Sequence, residues 1–157
     1  MRLSLRPAAD EERAFCEWLN RRNMGGYLAS RRIVWDPDRF VSSWIEFENL
    51  IILMESEAIG LLRLAPEANA LGLRDLQVAQ EHQGRGIGTW AVQQAQAFAA
   101  TRGFLRLQLR VYEESPARTL YARLGFETES IAGGTVHMAW AVPPNSSFKP
   151  KPLRGSA

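Results

Sequence analysis

The residues with the clearest chemical content lie in Leu73-Arg-Asp-Leu-Gln-Val-Ala-Gln-Glu-His-Gln-Gly-Arg-Gly-Ile-Gly-Thr-Trp90, where Gly84, Gly86 and Gly88 recur at every second position. The stretch reads as a strand, a tight glycine-rich turn and the start of an amphipathic helix. Absent Cβ atoms let backbone N–H groups approach a ligand closely. A helix N-terminus adds unpaired donors and a partial positive charge, so the natural guest is a phosphate or pyrophosphate. The P-loop needs Lys-Ser/Thr after its last glycine, and Thr89-Trp90 follows here. The dinucleotide spacing G-x-G-x-x-G is not met either. Other titratable residues carry weaker signals. Asp75 sits on the strand before the turn, either as a proton acceptor or as a charge paired with a nearby arginine. Glu46 and Glu48 read as solvated, and the lone His82 and His137 as structural. Tyr121 lies on an apolar helix face, where simple packing is the alternative to any chemistry.

These residues need elements to position them. Leu3 and Leu5 alternate with polar neighbours in a first strand, Arg2–Arg6, closed by Pro7. Asp10-Glu11-Glu12 starts a helix with its apolar face at Ala14, Phe15, Trp18 and Leu19; Gly25-Gly26 is expected to end it, leaving 27–34 irregular. Asp36-Pro37 starts a second helix, Asp as N-cap and Pro at the first helical position. Leu50–Met54 and Ala58–Leu64 read as strands. A turn at 66–69 then leads into Leu71–Val78. Helical spacing from Ile87 runs to Gly103, and Leu105–Val111 alternates cleanly as a strand. Ser115-Pro116 caps a helix through Leu124, with Gly125 as its C′ residue. Strands over Phe126–Ser130 and Thr135–Val142 follow, joined through Gly133-Gly134. The order β-α-α-β-β-β-α-β-α-β-β mixes hairpins with crossovers and argues an α/β fold on a mixed sheet. Residues 1–142 are expected to form a single domain, and 143–157, rich in Pro and Ser, a flexible tail.

Composition bounds the function classes. The chain of 157 residues is 46% hydrophobic and 23% charged, as soluble globular domains are. No apolar run approaches the ~20 residues of a membrane span, and the alternating N-terminus lacks the apolar core of a signal peptide. A net charge of +2 with short Arg21-Arg22 and Arg31-Arg32 pairs is too sparse to argue nucleic-acid binding. Cys16 is the single cysteine, which excludes an intrachain disulfide and a thiolate metal cluster and makes a reducing cytoplasm the expected location.

Two motifs together resemble a known family. Gln83-Gly-Arg-Gly-Ile-Gly88 is similar to Q/R-x-x-G-x-G/A, the acyl-CoA loop of the GCN5-related N-acetyltransferases. Downstream, Ala117-Arg-Thr-Leu-Tyr-Ala-Arg-Leu-Gly-Phe126 resembles that family's A-x-x-L-Y-x-x-L-G-F segment. The resemblance covers about residues 2 to 142. It implies a mostly antiparallel mixed sheet flanked by helices, and acetyl transfer from acetyl-CoA, without a metal, to a primary amine of a small molecule or peptide. By resemblance, backbone groups of Leu76, Gln77 and Val78 pair with the pantetheine arm like an added strand. The segment Gln83, Gly84, Arg85, Gly86, Ile87, Gly88 and Thr89 holds the pyrophosphate, with Arg85 and Arg118 within reach of cofactor phosphates. A backbone N–H near Val78 serves as oxyanion donor. Tyr121, whose ordinary pKa is about 10, protonates the departing thiolate, and Asp75 takes the amine proton directly or through water. Where many members carry an asparagine that binds pantetheine, seven residues before the tyrosine, this chain has Glu114. The region holding Tyr27, Trp35, Arg39 and Trp44 covers the acceptor in the family, although core packing suits Trp44 better. The last strands of such folds often pair across homodimers. A non-catalytic acyl-CoA-binding module is the alternative reading, favoured by Glu114 as Tyr121 favours the enzyme.

Overall fold

The computed structural model describes residues 1–144, so most of the expected tail lies outside the described residues. In chain order the elements are β1 (Leu3–Pro7), α1 (Arg13–Ser30), α2 (Pro37–Glu46), β2 (Glu48–Met54), β3 (Glu57–Glu67), β4 (Ala70–Val78), α3 (Ile87–Thr101), β5 (Arg106–Tyr112), α4 (Ala117–Arg123), β6 (Glu127–Ala132) and β7 (Thr135–Ala141). The order is the one expected. The strands form one sheet in the order β1-β2-β3-β4-β5-β7-β6. β4 and β5 pair in parallel over three positions, Ala70–Arg106, Leu71–Leu107 and Gly72–Gln108. The pairs β1–β2, β5–β7 and β6–β7 are antiparallel. Two-residue links join β2 to β3 and β3 to β4, which only antiparallel neighbours permit. No described helix is long and apolar enough to cross a membrane.

The chain divides into two compact units, each entered by β3 and β4. Of the described residues, the first comprises Met1–Arg63 and Asp75–Gly88; the second comprises Leu64–Arg74 and 89–144. In the first, Cys16 and Leu19 of α1, Phe40 and Trp44 of α2, and Ile51 and Leu61 of the strands form one apolar cluster. Asp36 caps α2 as expected, its Oδ1 accepting the Asp38 N–H at 2.9 Å. In the second unit, Leu107 and Leu109 of β5 lie opposite Trp140 and Met138 of β7, all four buried.

Three features depart from the sequence expectation by more than an end residue or two. Helix α1 runs through Gly25-Gly26 to Ser30. Glycine costs a helix interior only about 1 kcal/mol, so a pair weakens a helix without stopping it. The stop is Arg32, with φ +57, whose N–H donates to Ala29 O (3.0 Å) while Ile33 N–H donates to Leu28 O (2.9 Å), the double closure usually built on glycine. Strand β3 continues through Pro66 and Glu67, and the turn is confined to Ala68-Asn69, with Ala68 at φ +46. Pro66 is exposed, as a residue with no N–H to contribute should be. In β6 the register shifts between Thr128 and Ser130, making Glu129 the extra residue of a bulge.

Candidate active site

The glycine loop follows β4 through a single 3-10 turn at Gln80–His82. Ala79 N–H donates to Ile59 O of β3 at 2.8 Å, and His82 N–H returns to Ala79 O at 2.8 Å, which fixes the exit from the strand. Gly84 (φ +77) and Gly86 (φ +82) both take the left-handed conformation, and α3 begins at the next residue. A Cβ at Gly84 would meet nothing within 4 Å, so the demand there is conformational and not steric. A left-handed non-glycine residue costs about 1–2 kcal/mol. Gly88 lies inside the first turn of α3 and serves the helix entry instead. Gln83 to Gly86 are exposed while Ile87 is buried, so the loop stands in solvent on a fixed root. The amides that open α3 have no partner within the helix by its geometry. Arg85 is exposed, its Nη1 3.3 Å from His82 Nδ1.

The strand that delivers the loop carries a buried polar chain that sequence reasoning reached only at Asp75 and Gln77. Asp75 Oδ2 accepts from Asn20 Nδ2 of α1 at 2.7 Å and lies 3.5 Å from Arg63 Nη1 of β3. Its Oδ1 accepts from Gln77 Nε2 at 2.8 Å. The Gln77 Oε1 accepts from Asn23 Nδ2 (3.0 Å), which also donates to Val78 O at 3.0 Å. Because the carboxylate only accepts, it dictates the direction of each amide in turn. Gln77 must show Asp75 its NH₂ and Asn23 its oxygen, and Asn23 must answer with its own NH₂. That leaves Asn23 Oδ1, a buried acceptor, with no partner among the described residues. Burial is the largest influence on Asp75 and pushes its carboxyl above the ordinary value, against the lowering by Gln77, Arg63 and Asn20.

Arg63 is itself held on every side. Its Nε donates to Asn49 Oδ1 (2.9 Å), Nη2 reaches Ser43 Oγ, and the guanidinium lies over the rings of Phe40 (4.4 Å) and Phe47 (4.8 Å). Trp35 joins the chain through its Nε1–H to Asn20 Oδ1 at 2.9 Å. Trp44 sits in the apolar cluster, with Nε1 donating to Asp10 at 3.3 Å. Signals for the missed members do exist. Asn20 and Asn23 continue the buried stripe of Cys16 and Leu19 at i, i+3, i+4, i+7, and Arg63 is the one charge inside Ala58–Ala65. A polar residue on a buried face must find partners.

Val78 is where the chain and the loop meet. Its carbonyl accepts from Asn23 Nδ2 and from Gln83 Nε2 at 2.9 Å, so both lone pairs are filled by the protein. Ala79 N–H turns toward β3, so strand alternation aims the backbone groups of Leu76 and Val78 at the opposite edge. The Val78 N–H and both Leu76 groups thereby point away from β3.

In the second unit, Tyr121 is buried on α4, its ring 5.7 Å from that of Phe126. Gly125 takes φ +96, and Phe126 N–H donates to Tyr121 O at 3.1 Å and Gly125 N–H to Ala122 O at 3.1 Å. The Leu-Gly-Phe of the second motif is therefore a helix stop that seats Phe126 against the tyrosine. Ser115 Oγ accepts the Ala117 N–H at 3.2 Å at the other end. Glu114 is exposed in the turn before α4, and Thr89 is half-buried in the first turn of α3.

Residues 10–126 match the sequence model of the acetyltransferase (GNAT) family. The chain belongs to this family. Acetyl transfer is the chemistry of that membership, and the fold agrees with solved GNAT structures. The PaiA N-acetyltransferase of Thermoplasma acidophilum, solved with coenzyme A, is 20% identical, with a TM-score of 0.72 over 90% of this chain and 99% of that one. The ribosomal-protein-S18-alanine N-acetyltransferase of Escherichia coli is 16% identical, with a TM-score of 0.73 over 93% and 99%. A chimera of the Vibrio cholerae spermidine N-acetyltransferase SpeG and hSSAT is 20% identical, at 0.69 over 90% and 96%. No curated protein sequence matches this GNAT chain.

Proposed function

We propose that this GNAT protein transfers the acetyl group of acetyl-CoA to a primary amine of a small molecule or peptide. The observation that carries the reading is the pair of left-handed glycines, Gly84 and Gly86, opening directly into α3, with a β4 edge just before them whose Leu76 and Val78 groups point away from β3. Backbone amides of Gly84–Thr89 hold the pyrophosphate, and the Leu76 and Val78 groups hold the pantetheine. That relatives were solved with coenzyme A, and that others are named for acetylating a ribosomal protein or spermidine, supports cofactor and acceptor class alike.

The neutral amine attacks the thioester carbonyl carbon, the C–S bond breaks, and the Val78 N–H stabilises the oxyanion between these events. Tyr121 gives its phenolic proton to the CoA thiolate. The amine proton goes through a water to Asp75, whose Oδ1 has one protein donor and therefore one acceptor site to spare. Thiol release from acetyl-CoA across amines and peptides tests the reaction. Tyr121→Phe keeps the ring that packs on Phe126, so it should bind acetyl-CoA normally and lose about 100-fold or more in turnover. Full turnover in that variant removes the general-acid role. Acetyl-CoA binding without thiol release on any acceptor selects the non-catalytic module, the reading that Glu114 favours.

A further inference from the structure

The second unit holds a cleft of about 200 Å³ on the β5–β7 face that carries Arg110 and His137. Two carboxylates enter it, and both are paired within the protein. Glu67 Oε1 takes Arg74 Nη1 at 2.8 Å and its Oε2 takes Gln108 Nε2. Gly72 makes this possible, since a Cβ there would overlap Glu67 Oε1. Paired in this way, Glu67 stays below the ordinary carboxylate range even though burial opposes it. Glu129, the bulged residue of β6, takes Arg106 on both oxygens, in the two-pronged geometry arginine favours. Every carboxylate oxygen in the cleft therefore already carries one protein donor.

Its leftover groups are donors. Arg110 and His137 stand directly opposite each other in register; no hydrogen bond to either side chain is found among the described residues, and the Arg110 charge acts on Glu67 only at a distance. A guest that brings acceptors in a planar form matches the guanidinium fork of Arg110.

We propose that this cleft is a carboxylate-binding site, with Arg110 and His137 as its donors, and that the acetyl acceptor is an amine that also carries a carboxylate. The second clause rests on the acetyl-transfer reading; the carboxylate site does not. An amino acid or a peptide end with a free carboxylate has this chemistry, and a simple polyamine does not.

The chain has only two histidines, His82 and His137, so imidazole proton resonances of the full-length protein, assigned with His82→Gln, report the cleft with His82 as an internal control. The probes are N-acetyl-L-alanine, its uncharged amide and inorganic phosphate. N-acetyl-L-alanine should move the His137 resonances saturably and leave His82 in place, while the amide does neither. Arg110→Gln, at an exposed position, should weaken that response about tenfold or more, and Arg110→Lys should fall between. Equal movement with the amide, a response to phosphate alone, joint movement of both rings, no saturable movement, or an unchanged response in Arg110→Gln each overturns the proposal. Acetyl-CoA binding measured on the same samples separates the two readings, because its absence defeats acetyl transfer without bearing on the His137 response.

Discussion

Replacing Asp75 by asparagine alters one atom and should cost this protein far more than one hydrogen bond. Three donors converge on the carboxylate, from Asn20, Gln77 and Arg63. An asparagine offers one oxygen and one NH₂, so whichever way it turns, a donor meets a donor. Turning Gln77 to relieve the clash sets its NH₂ against that of Asn23, and turning Asn23 sets its oxygen against Val78 O. No arrangement satisfies all members, and a buried polar group left unmatched costs about 1–3 kcal/mol. Arg63, with its side chain 4% exposed, also loses its counter-charge. Removing one partner of a buried pair costs about 3–5 kcal/mol. The two losses overlap, so the expected total is about 4 kcal/mol. At about 2–4 °C per kcal/mol for a chain of this size, the melting temperature should fall by about 10 °C. Urea unfolding at neutral pH measures this directly, and adding Arg63→Met should recover about 1–3 kcal/mol of coupling in a double-mutant cycle. A variant within 1 kcal/mol of the parent, with an unchanged urea slope, would show that the chain of amides is not oriented as described. Thiol release on the folded fraction then reports the proton-accepting role separately.

Four further outcomes follow from single residues. Arg32→Gly should stabilise the protein by about 0.5–1 kcal/mol, because the left-handed end of α1 suits glycine; a loss of stability in thermal melts contradicts the assigned helix stop. Gly125→Ala should destabilise by about 1–2 kcal/mol, combining φ +96 with a Cβ only 3.2 Å from Trp140 Cδ1, and an unchanged urea midpoint counts against it. Burial pushes the Cys16 thiol up to about 12, so Cys16 should resist alkylation in the native state and react on unfolding, and rapid native labelling would contradict its placement. The Arg6 guanidinium and the Ala9 N–H hold Glu12 down to about 2, below its unfolded value of 4.5. A depressed acid stabilises above its unfolded pKa and loses that contribution as pH falls through the folded one. The stability gap between the parent and Glu12→Gln should therefore shrink between pH 4.5 and pH 2, and a gap that widens there refutes the pairing.

What the sequence made legible were features enforced by one or two neighbouring residues. Asp36-Pro37 sets a helix start, Gly125 a helix stop, Gly133-Gly134 a hairpin, and Gly84 and Gly86 the turn into α3. The element order followed from these punctuation marks together with the alternation in β5. Features that depend on distant partners were hidden. The course of α1 past Gly25-Gly26 rests on the packing of its buried face, and Arg32 accepts a conformation its own type disfavours. The bulge at Glu129 leaves no local mark, since it arises from the register with β7. The polar chain joins Asn20, Asn23, Arg63 and Asp75 across about fifty residues of sequence, and only its members on β4 stood next to a recognisable motif.

The pairing of β5 with β7 interleaves two kinds of information along the same seven positions. Leu107 and Leu109 face Trp140 and Met138 in the core, while Gln108 and Arg110 face Ala139 and His137 in the cleft. Side chains alternate strictly along a strand, so substitutions at the second set can rewrite what the cleft recognises while the first set goes on holding the fold. An insertion or deletion within either strand does the opposite, exchanging the two sets at once and placing arginine in the core. Divergent relatives of this protein can therefore differ freely in the residues of this face, yet must keep the lengths of these two strands.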